Sequence, residues 1–347
     1  MKNLGEFECK DKKVLVRCDF NVPLSEQGNI LDDFRIKQSL PTIEYLQRNK
    51  ARVILLSHLG RPQEDKPNIN KYSLKPVAPR IEELLRTKVK FLPDCLGNEV
   101  KRGVGKIKAG ETVLLENLRF HKEEEKNDSG FAKELASLGD IYINDAFSVC
   151  HREHASVVAI TQYLPSGVGF LLEKELKILN GLLANPRRPL VAIIGGKKVE
   201  TKLKLIDRIA QIVDWVLVGG LLEREIKEKN TGFKMPEKII VAVDNVEGLD
   251  IGPRAINLFR EKIKSAKTVF WSGPLGKIED EKFQKGSREI ISAIIKSKAF
   301  SIAGGGETIE FINQLGESSK FNHLFTGGGA MLAFLSGEEL PGIKALE

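Results

Sequence analysis

Apolar, β-branched runs recur along the chain, and polar stretches with helically spaced apolar residues separate them. VLVRCDF (14–20), RVILLSHLG (52–60), TVLLENL (112–118) and IYINDAF (141–147) lie in the first half. LVAIIGG (190–196), WVLVGG (215–220), KIIVAVD (238–244), TVFWSG (268–273) and FSIAGGG (300–306) lie in the second. A strand with one wet face alternates apolar and polar residues. These runs do not alternate, so they predict strands covered on both faces. Helices between such strands imply parallel sheets with crossover connections, an α/β fold. GFLLEKELKILNGLLANPRRP, from Gly169 to Pro189, repeats Leu and Ile at helical spacing and closes in Asn-Pro. It predicts a helix joining two α/β halves. Between Leu221 and Lys238 one full crossover barely fits.

The length of 347 residues exceeds what one hydrophobic core usually serves, which predicts two domains. With 41% hydrophobic and 29% charged residues the composition is that of a soluble globular chain. The start, MKNLGEFECKDKK, has no secretory apolar core, and no run approaches the roughly 18 to 20 residues of a membrane span. The expectation is a cytoplasmic protein with no membrane partner. Four cysteines without C-x-x-C spacing suit reduced thiols. The net charge is +7, with 27 Lys+Arg against 24 Asp+Glu in residues 1–170 and 27 against 23 in the remainder. An excess spread so evenly, with no basic arm, argues against a nucleic-acid partner.

Several runs end in Gly, Asp or Asn, and ligands of open α/β sheets bind beyond the carboxyl ends of strands. RCDFNVP (17–23), SHLGRP (57–62), ENLRFH (116–121) and NDAFSVCHREH (144–154) each leave a strand with charged or imidazole side chains. They can gather Arg35, His58, Arg61, Arg119, His151, Arg152 and His154 at one mouth, where the planar arginine fork suits carboxylate and phosphate. Any one of these is ordinarily a surface ion pair or a core histidine; their repetition favours an anion site. In GGKKVETK, Lys198 and Lys202 lie one helical turn apart, a spacing that fits a polyphosphate or a solvated helix face. No G-x-x-x-x-G-K-[ST] occurs, which excludes a P-loop. IAGGGET offers amides of Gly304, Gly305 and Gly306 at a predicted helix start, where the dipole favours anions. Glu307 either complements that dipole or serves the ligand. TGGGAM (326–331) repeats the device.

RCDFNVP, SHLGRP, ENLRFH, NDAF with HREH, GGKKVETK, GLDIGP, WSGPLG, GGGET, TGGGA and ELPGIKAL, in this order, resemble the phosphoglycerate kinase family over nearly the whole chain. The resemblance implies two doubly wound parallel-sheet (Rossmann-like) domains joined by a helix and facing each other across a hinge cleft. Residues 1–170 would bind phosphoglycerate, 171–188 link, 189–328 bind nucleotide, and 329–347 return toward the first domain. The implied activity is reversible phosphoryl transfer between 1,3-bisphosphoglycerate and ADP by a monomeric enzyme of glycolysis or gluconeogenesis, with Mg²⁺ accompanying ATP or ADP. The phosphoglycerate site then maps onto Asp19, Phe20, Asn21, Arg35, His58, Leu59, Gly60, Arg61, Arg119 and Arg152. The nucleotide site maps onto Lys202, Gly248, Glu279, Gly305, Gly306, Glu307 and Thr308, with Glu307 reaching the metal through Mg-nucleotide. Arg35, Lys198, Gly305 and Gly306 would act on the transferred group.

Three departures from the family pattern bear on the nucleotide side. Glu307 stands where the family usually has Asp, Lys277-Ile278 replaces an apolar-aromatic pair, and the chain is short between Gly220 and Asp244. They motivate one alternative, a binding or regulatory protein on the same scaffold that has lost turnover. A nicotinamide dehydrogenase would need G-x-G-x-x-G after a strand, which is absent.

Overall fold

In the computed structural model, which describes residues 1–64, 66–196, 199–228 and 232–347, all nine predicted runs become strands. The first unit comprises Met1–Lys177 with Glu339–Glu347. Its strands are β1 (Lys13–Arg17), β2 (Arg52–Leu56), β3 (Val89–Phe91), β4 (Thr112–Leu114), β5 (Ile141–Asn144) and β6 (Ser166–Val168). They form one sheet in the order β3-β4-β2-β1-β5-β6, every pairing parallel. The non-alternating pattern has its expected cause: Val14, Leu15 and Val16 are all fully buried, as are Val53, Ile54 and Leu55.

The second unit, Ile178–Glu338, holds β7 (Leu190–Ile194), β8 (Trp215–Val218), β9 (Ile239–Val241), β10 (Asn245–Val246), β11 (Asp250–Ile251), β12 (Thr268–Ser272), β13 (Phe300–Gly304) and β14 (His323–Phe325). Six of these make a parallel sheet in the order β14-β13-β12-β7-β8-β9, and β10 and β11 pair antiparallel beside it in sequence. The architecture is the predicted one, two parallel α/β sheets. In each the strand order reverses, at β1/β5 and at β7/β12, and open sheets bind ligands at such reversals.

The predicted joining helix runs Phe170–Ala184, and the division between units falls within it. Its first turn is held by Asp145 at the end of β5, whose Oδ1 accepts from Leu171 N at 2.9 Å and Leu172 N at 3.4 Å. Asp145 is wholly buried, Glu175 lies buried nearby, and Oδ2 has no hydrogen-bond partner. Desolvation outweighs the hydrogen bonds from Thr42 and the helix start and pushes the carboxyl up to about 7. A carboxyl raised above its unfolded value stabilises fully only below the unfolded value, about pH 4, and its contribution is lost as pH rises through about 7. Asp145→Asn keeps an acceptor and cannot ionise. Its Tm is expected to fall less than the wild type's between pH 4 and pH 8, and parallel pH profiles would disprove this.

Candidate functional site

Register sets the first site. Arg17 lies level with Leu56 and Asn144, so the segments after β1, β2 and β5 leave the sheet together. The Asp19 carboxylate, buried at the mouth, accepts from Asn21 N at 3.0 Å and from Arg35 Nη1 at 2.7 Å. Arg35 comes from the first turn of helix Phe34–Arg48. Asn21 Oδ1 accepts from Gly60 N at 2.8 Å, and Phe20 N donates to Ser57 Oγ at 2.8 Å, stitching the β1 and β2 segments together. Leu59 O accepts from Asn117 Nδ2 at 2.7 Å, and Gly60 O accepts from Arg119 Nη1 at 2.7 Å. The segment after β4 thereby joins the same cluster.

Arg17 completes it. Its buried guanidinium donates to Ser156 Oγ at 2.8 Å and lies 3.2 Å from His58 Nδ1. Arginine only donates, so Nδ1 accepts and the His58 ring is neutral with its proton on Nε2. Burial first, then Arg119, Arg17, Arg35 and His154, holds the His58 pKa well below its ordinary value. Burial and Arg152 take His151 down to about 4; burial, Arg119, Arg17 and Arg152 take His154 down to about 3. Desolvation lowers Arg119 to about 10 despite Glu125 at 3.3 Å. Glu124, fully buried, accepts from Ser156 N and Oγ and lies 4.0 Å from Arg17. Arg119 Nε, His151 Nδ1 and His154 Nδ1 are buried without a hydrogen-bond partner. The arginines of this cluster, Arg17, Arg35 and Arg119, carry the charge that suits a phosphate or carboxylate, while His151 and His154 are neutral at pH 7. Arg61 differs: it is exposed and pairs with Glu64 at 3.0 Å. Arg152 is part-buried, close enough to Arg119 to lower its pKa.

The sequence pattern singled out most of this cluster but passed over Arg17, Glu124 and Ser156. Arg17 is the first letter of RCDFNVP, and that charge at the end of an all-apolar run was the available signal.

The second site gathers glycine turns. Ile194 lies level with Val218 and Ser272, and Gly304 with Ser272 and Phe325, so five adjacent strands end together. Gly305 has φ +110°, and a Cβ on Gly328 would enter its backbone, so the two glycine turns need bare glycine where they touch. Thr308 Oγ1 accepts from Gly273 N at 2.9 Å, tying the turn after β12 to helix Gly306–Gln314. Lys202, nearly buried, donates its ammonium to Gly195 O.

A pocket of about 80 Å³ opens here, lined by Gly196, Gly220, Gly248, Leu249, Pro274, Gly276, Lys277, Glu279 and Glu307. It unites the predicted Gly248, Glu279 and Glu307 with Gly196, Gly220 and Lys277, which sequence reasoning had not assigned. Glu307 is exposed in the first turn of helix Gly306–Gln314, directly after Gly305 and Gly306. Below, buried Asp250 accepts from Gly286 N at 2.7 Å and Ile251 N at 2.9 Å, while desolvation raises its carboxyl to about 6. Lys198 lies outside the described residues. Helix-start amides beside a glycine-walled pocket suit a phosphorylated ligand.

The family model described as phosphoglycerate kinase matches residues 4–239 and 223–338. The phosphoglycerate kinase of Aquifex aeolicus is 43% identical, the match covering 100% of this chain and 98% of that protein. That of Borreliella burgdorferi strain ZS7 is 44% identical, with 97% and 96% covered. Among solved structures, phosphoglycerate kinase from Pyrococcus horikoshii OT3 superposes with a TM-score of 0.90 at 31% identity, covering 100% of this chain and 98% of that one. The enzyme from Coxiella burnetii gives 0.82 at 32%, with 99% and 98% covered. The Aquifex alignment has 392 positions against 347 residues here, a difference of 45. The two family-model matches overlap at 223–239, between β8 and β9.

Proposed function

The chain belongs to the phosphoglycerate kinase family, and on that premise we propose which of its residues perform the reaction. The reaction is reversible phosphoryl transfer between 1,3-bisphosphoglycerate and ADP, giving 3-phosphoglycerate and ATP, a step of glycolysis. The arginine cluster beyond β1, β2 and β4, anchored by buried Arg119, supports the assignment of the acceptor site: Asp19, Phe20, Asn21, Arg35, His58, Leu59, Gly60, Arg61, Arg119 and Arg152. The nucleotide site comprises Lys202, Gly248, Glu279, Gly305, Gly306, Glu307 and Thr308. Residues 1–170 and 189–328 are the two substrate domains, 171–188 the link, and 329–347 a segment returning toward the first domain, of which Glu339–Glu347 groups with the first unit and the residues before it with the second. Gly342 N donates to Cys150 O at 2.9 Å in that terminal segment.

Phosphoryl transfer asks the protein for in-line positioning, charge neutralisation and exclusion of water. The attacking oxygen is anionic in both directions, so no side chain need act as general base. Arg35, Lys198 and the amides of Gly305 and Gly306 stabilise charge on the transferred group. Arg61 and Arg119 hold the non-transferred phosphate of the acceptor. Thr308 acts by fixing the Gly273 turn, and Lys202 by its reach from helix Val199–Ala210. Because donor and acceptor are assigned to different domains, closure about the 170–184 helix precedes transfer in this reading. The enzyme works as a monomer.

Mg²⁺ takes a few hard carboxylate oxygens beside waters and phosphate oxygens. Exposed Glu307, with Glu279 lining the same pocket, fits that requirement. When bound with nucleotide, the ion neutralises charge across the phosphates. Glu307 is the residue that meets it.

A coupled assay of ATP-dependent 1,3-bisphosphoglycerate formation by the purified chain tests the reading. Substrate binding without turnover would establish the alternative, a binding or regulatory protein on this scaffold.

Arg61→Ala and Arg119→Ala are expected to raise the KM for 3-phosphoglycerate about tenfold with smaller change in kcat, since each loses ground-state anion binding. Arg119→Ala should also lower Tm, because Gly60 O loses its buried donor. Arg61→Ala should leave Tm alone, its ion pair being exposed. Weakened ATP binding in either variant would refute the site assignment.

The short β8–β9 connection leaves less apolar surface to cover the base, at about 25 cal/mol per Å² not buried. GTP is therefore expected to serve appreciably beside ATP. Matched kcat/KM values showing a strong ATP preference would contradict it.

A further inference from the structure

Asp94, Cys95 and His121, none of them assigned to either site described above, converge. They leave the carboxyl ends of two neighbouring strands, β3 and β4, whose last residues Phe91 and Leu114 are in register. One carboxylate oxygen, the Cys95 sulfur and one His121 ring nitrogen all lie within 4.8 Å of one another. Among the described residues this is the one group of three or more such donors so placed.

The frame is built by other contacts. Asp94 Oδ1 accepts from Cys95 N at 2.6 Å and Leu96 N at 3.4 Å, fixing its own turn. Glu116 N reaches Asp94 O at 3.4 Å and joins the two segments, while His121 N donates to Leu118 O at 3.2 Å within its own. The His121 ring packs 5.5 Å from Phe131, centroid to centroid, and its Nε2 lies 2.8 Å from Asp94 Oδ1. Cys95 is 1% exposed, whereas the side chains of Asp94 and His121 are 51% and 30% exposed. The carboxylate and the imidazole thus meet solvent while the thiol is covered.

From this juxtaposition we propose that Asp94, Cys95 and His121 form a binding site for a divalent transition-metal ion of the Zn²⁺ class. The mixed sulfur, nitrogen and oxygen set discriminates by softness: thiolate and imidazole favour Zn²⁺ or Co²⁺ and disfavour Mg²⁺ and Ca²⁺. Three protein ligands leave a fourth tetrahedral position to water on the exposed side. Asp94, Glu124 and Glu116 make the potential at Cys95 negative, which attracts a cation; burial with these carboxylates keeps the free thiol protonated. On binding, the metal–sulfur bond would form as the thiol proton leaves to solvent, the imidazole would carry its proton on Nδ1 and present a lone pair at Nε2, and the 2.8 Å contact between Nε2 and Oδ1 would open to admit the ion. The site is distinct from the nucleotide's Mg²⁺, which the reading above assigns to the other domain.

The test uses full-length protein, stripped with chelator and titrated with Co²⁺ and Zn²⁺ in the presence of millimolar Mg²⁺. Wild type should hold one equivalent through gel filtration, and its Co²⁺ form should show thiolate-to-cobalt charge-transfer absorption. Cys95→Ser should abolish that absorption. Asp94→Asn and His121→Gln should each weaken Co²⁺ binding about tenfold or more, the scale of losing a ligand-sphere group. A structural clasp alone would change Tm in these variants and leave metal stoichiometry untouched. Wild type without stoichiometric metal, or an unchanged spectrum in Cys95→Ser, overturns the proposal. Where Cys95→Ser fails to fold, His121→Gln decides through its part-exposed ring, and undiminished Co²⁺ affinity there also overturns it.

Discussion

Arg35→Ala is expected to lower kcat about a hundredfold while raising the KM for 3-phosphoglycerate far less, the scale of removing one preorganised charge-stabilising donor. Arg35 does not float at the mouth. Its Nη1 is held at 2.7 Å by Asp19, itself 1% exposed, while the guanidinium side chain is 26% exposed. A buried carboxylate that orients a part-exposed cation costs little reorganisation when charge develops beside it. Interactions stronger in the transition state than in the ground state appear in kcat. Arg35→Lys should fall between, since it keeps charge and loses the planar fork. Both substitutions disturb Asp19, so Tm must be measured alongside; the alanine variant leaves a buried carboxylate unpaired. An unchanged kcat with weaker substrate binding would make Arg35 a ground-state anchor only.

Glu307→Gln is expected to raise the Mg²⁺ concentration for half-maximal activity about tenfold, judged by mutational losses around other metal sites. Binding of metal-free nucleotide should change little. Glutamate is one methylene longer than aspartate, so its carboxylate reaches farther from the helix start that follows Gly305 and Gly306. Mg²⁺ holds oxygens at about 2.0–2.1 Å in near-octahedral geometry and tolerates displaced ligands poorly. On the proposed reading, the extra reach would let the carboxylate meet the ion directly or through a water. A role as dipole partner alone predicts something different: a loss of about 0.3–1 kcal/mol of stability and no change in magnesium dependence. Superimposable magnesium titrations of wild type and Glu307→Gln would rule out the metal role.

The apolar runs were legible as strands because burial on both faces writes itself into consecutive residues; β9 departs from this, being the edge strand with Ile239, Ile240 and Val241 only part-buried. Short strands outside such runs were not. β3 (VKF), β6 (SGV) and β14 (HLF) have three residues each and β10 and β11 two, and none lies in a longer apolar stretch, as the equally short β4 and β9 do in TVLL and KIIVAV; their pairing comes from neighbours already in place. Between β8 and β9 the count of residues allows barely one crossover, and helix Leu221–Glu228 lies there.

The chain by itself determined the two α/β sheets, the glycine turns and the candidate anion-binding residues, since periodicity and backbone freedom are local properties. Tertiary structure alone decided which partners those groups meet. Thr308 spends its hydroxyl oxygen on Gly273 N, 35 residues away, and Arg61 turns to a surface partner. Arg17 meets Ser156 across 139 residues, and His121 meets Asp94 across 27. Such pairings, and the desolvation that keeps His58 neutral and raises Asp145, depend on which strands become neighbours, and no local pattern encodes that.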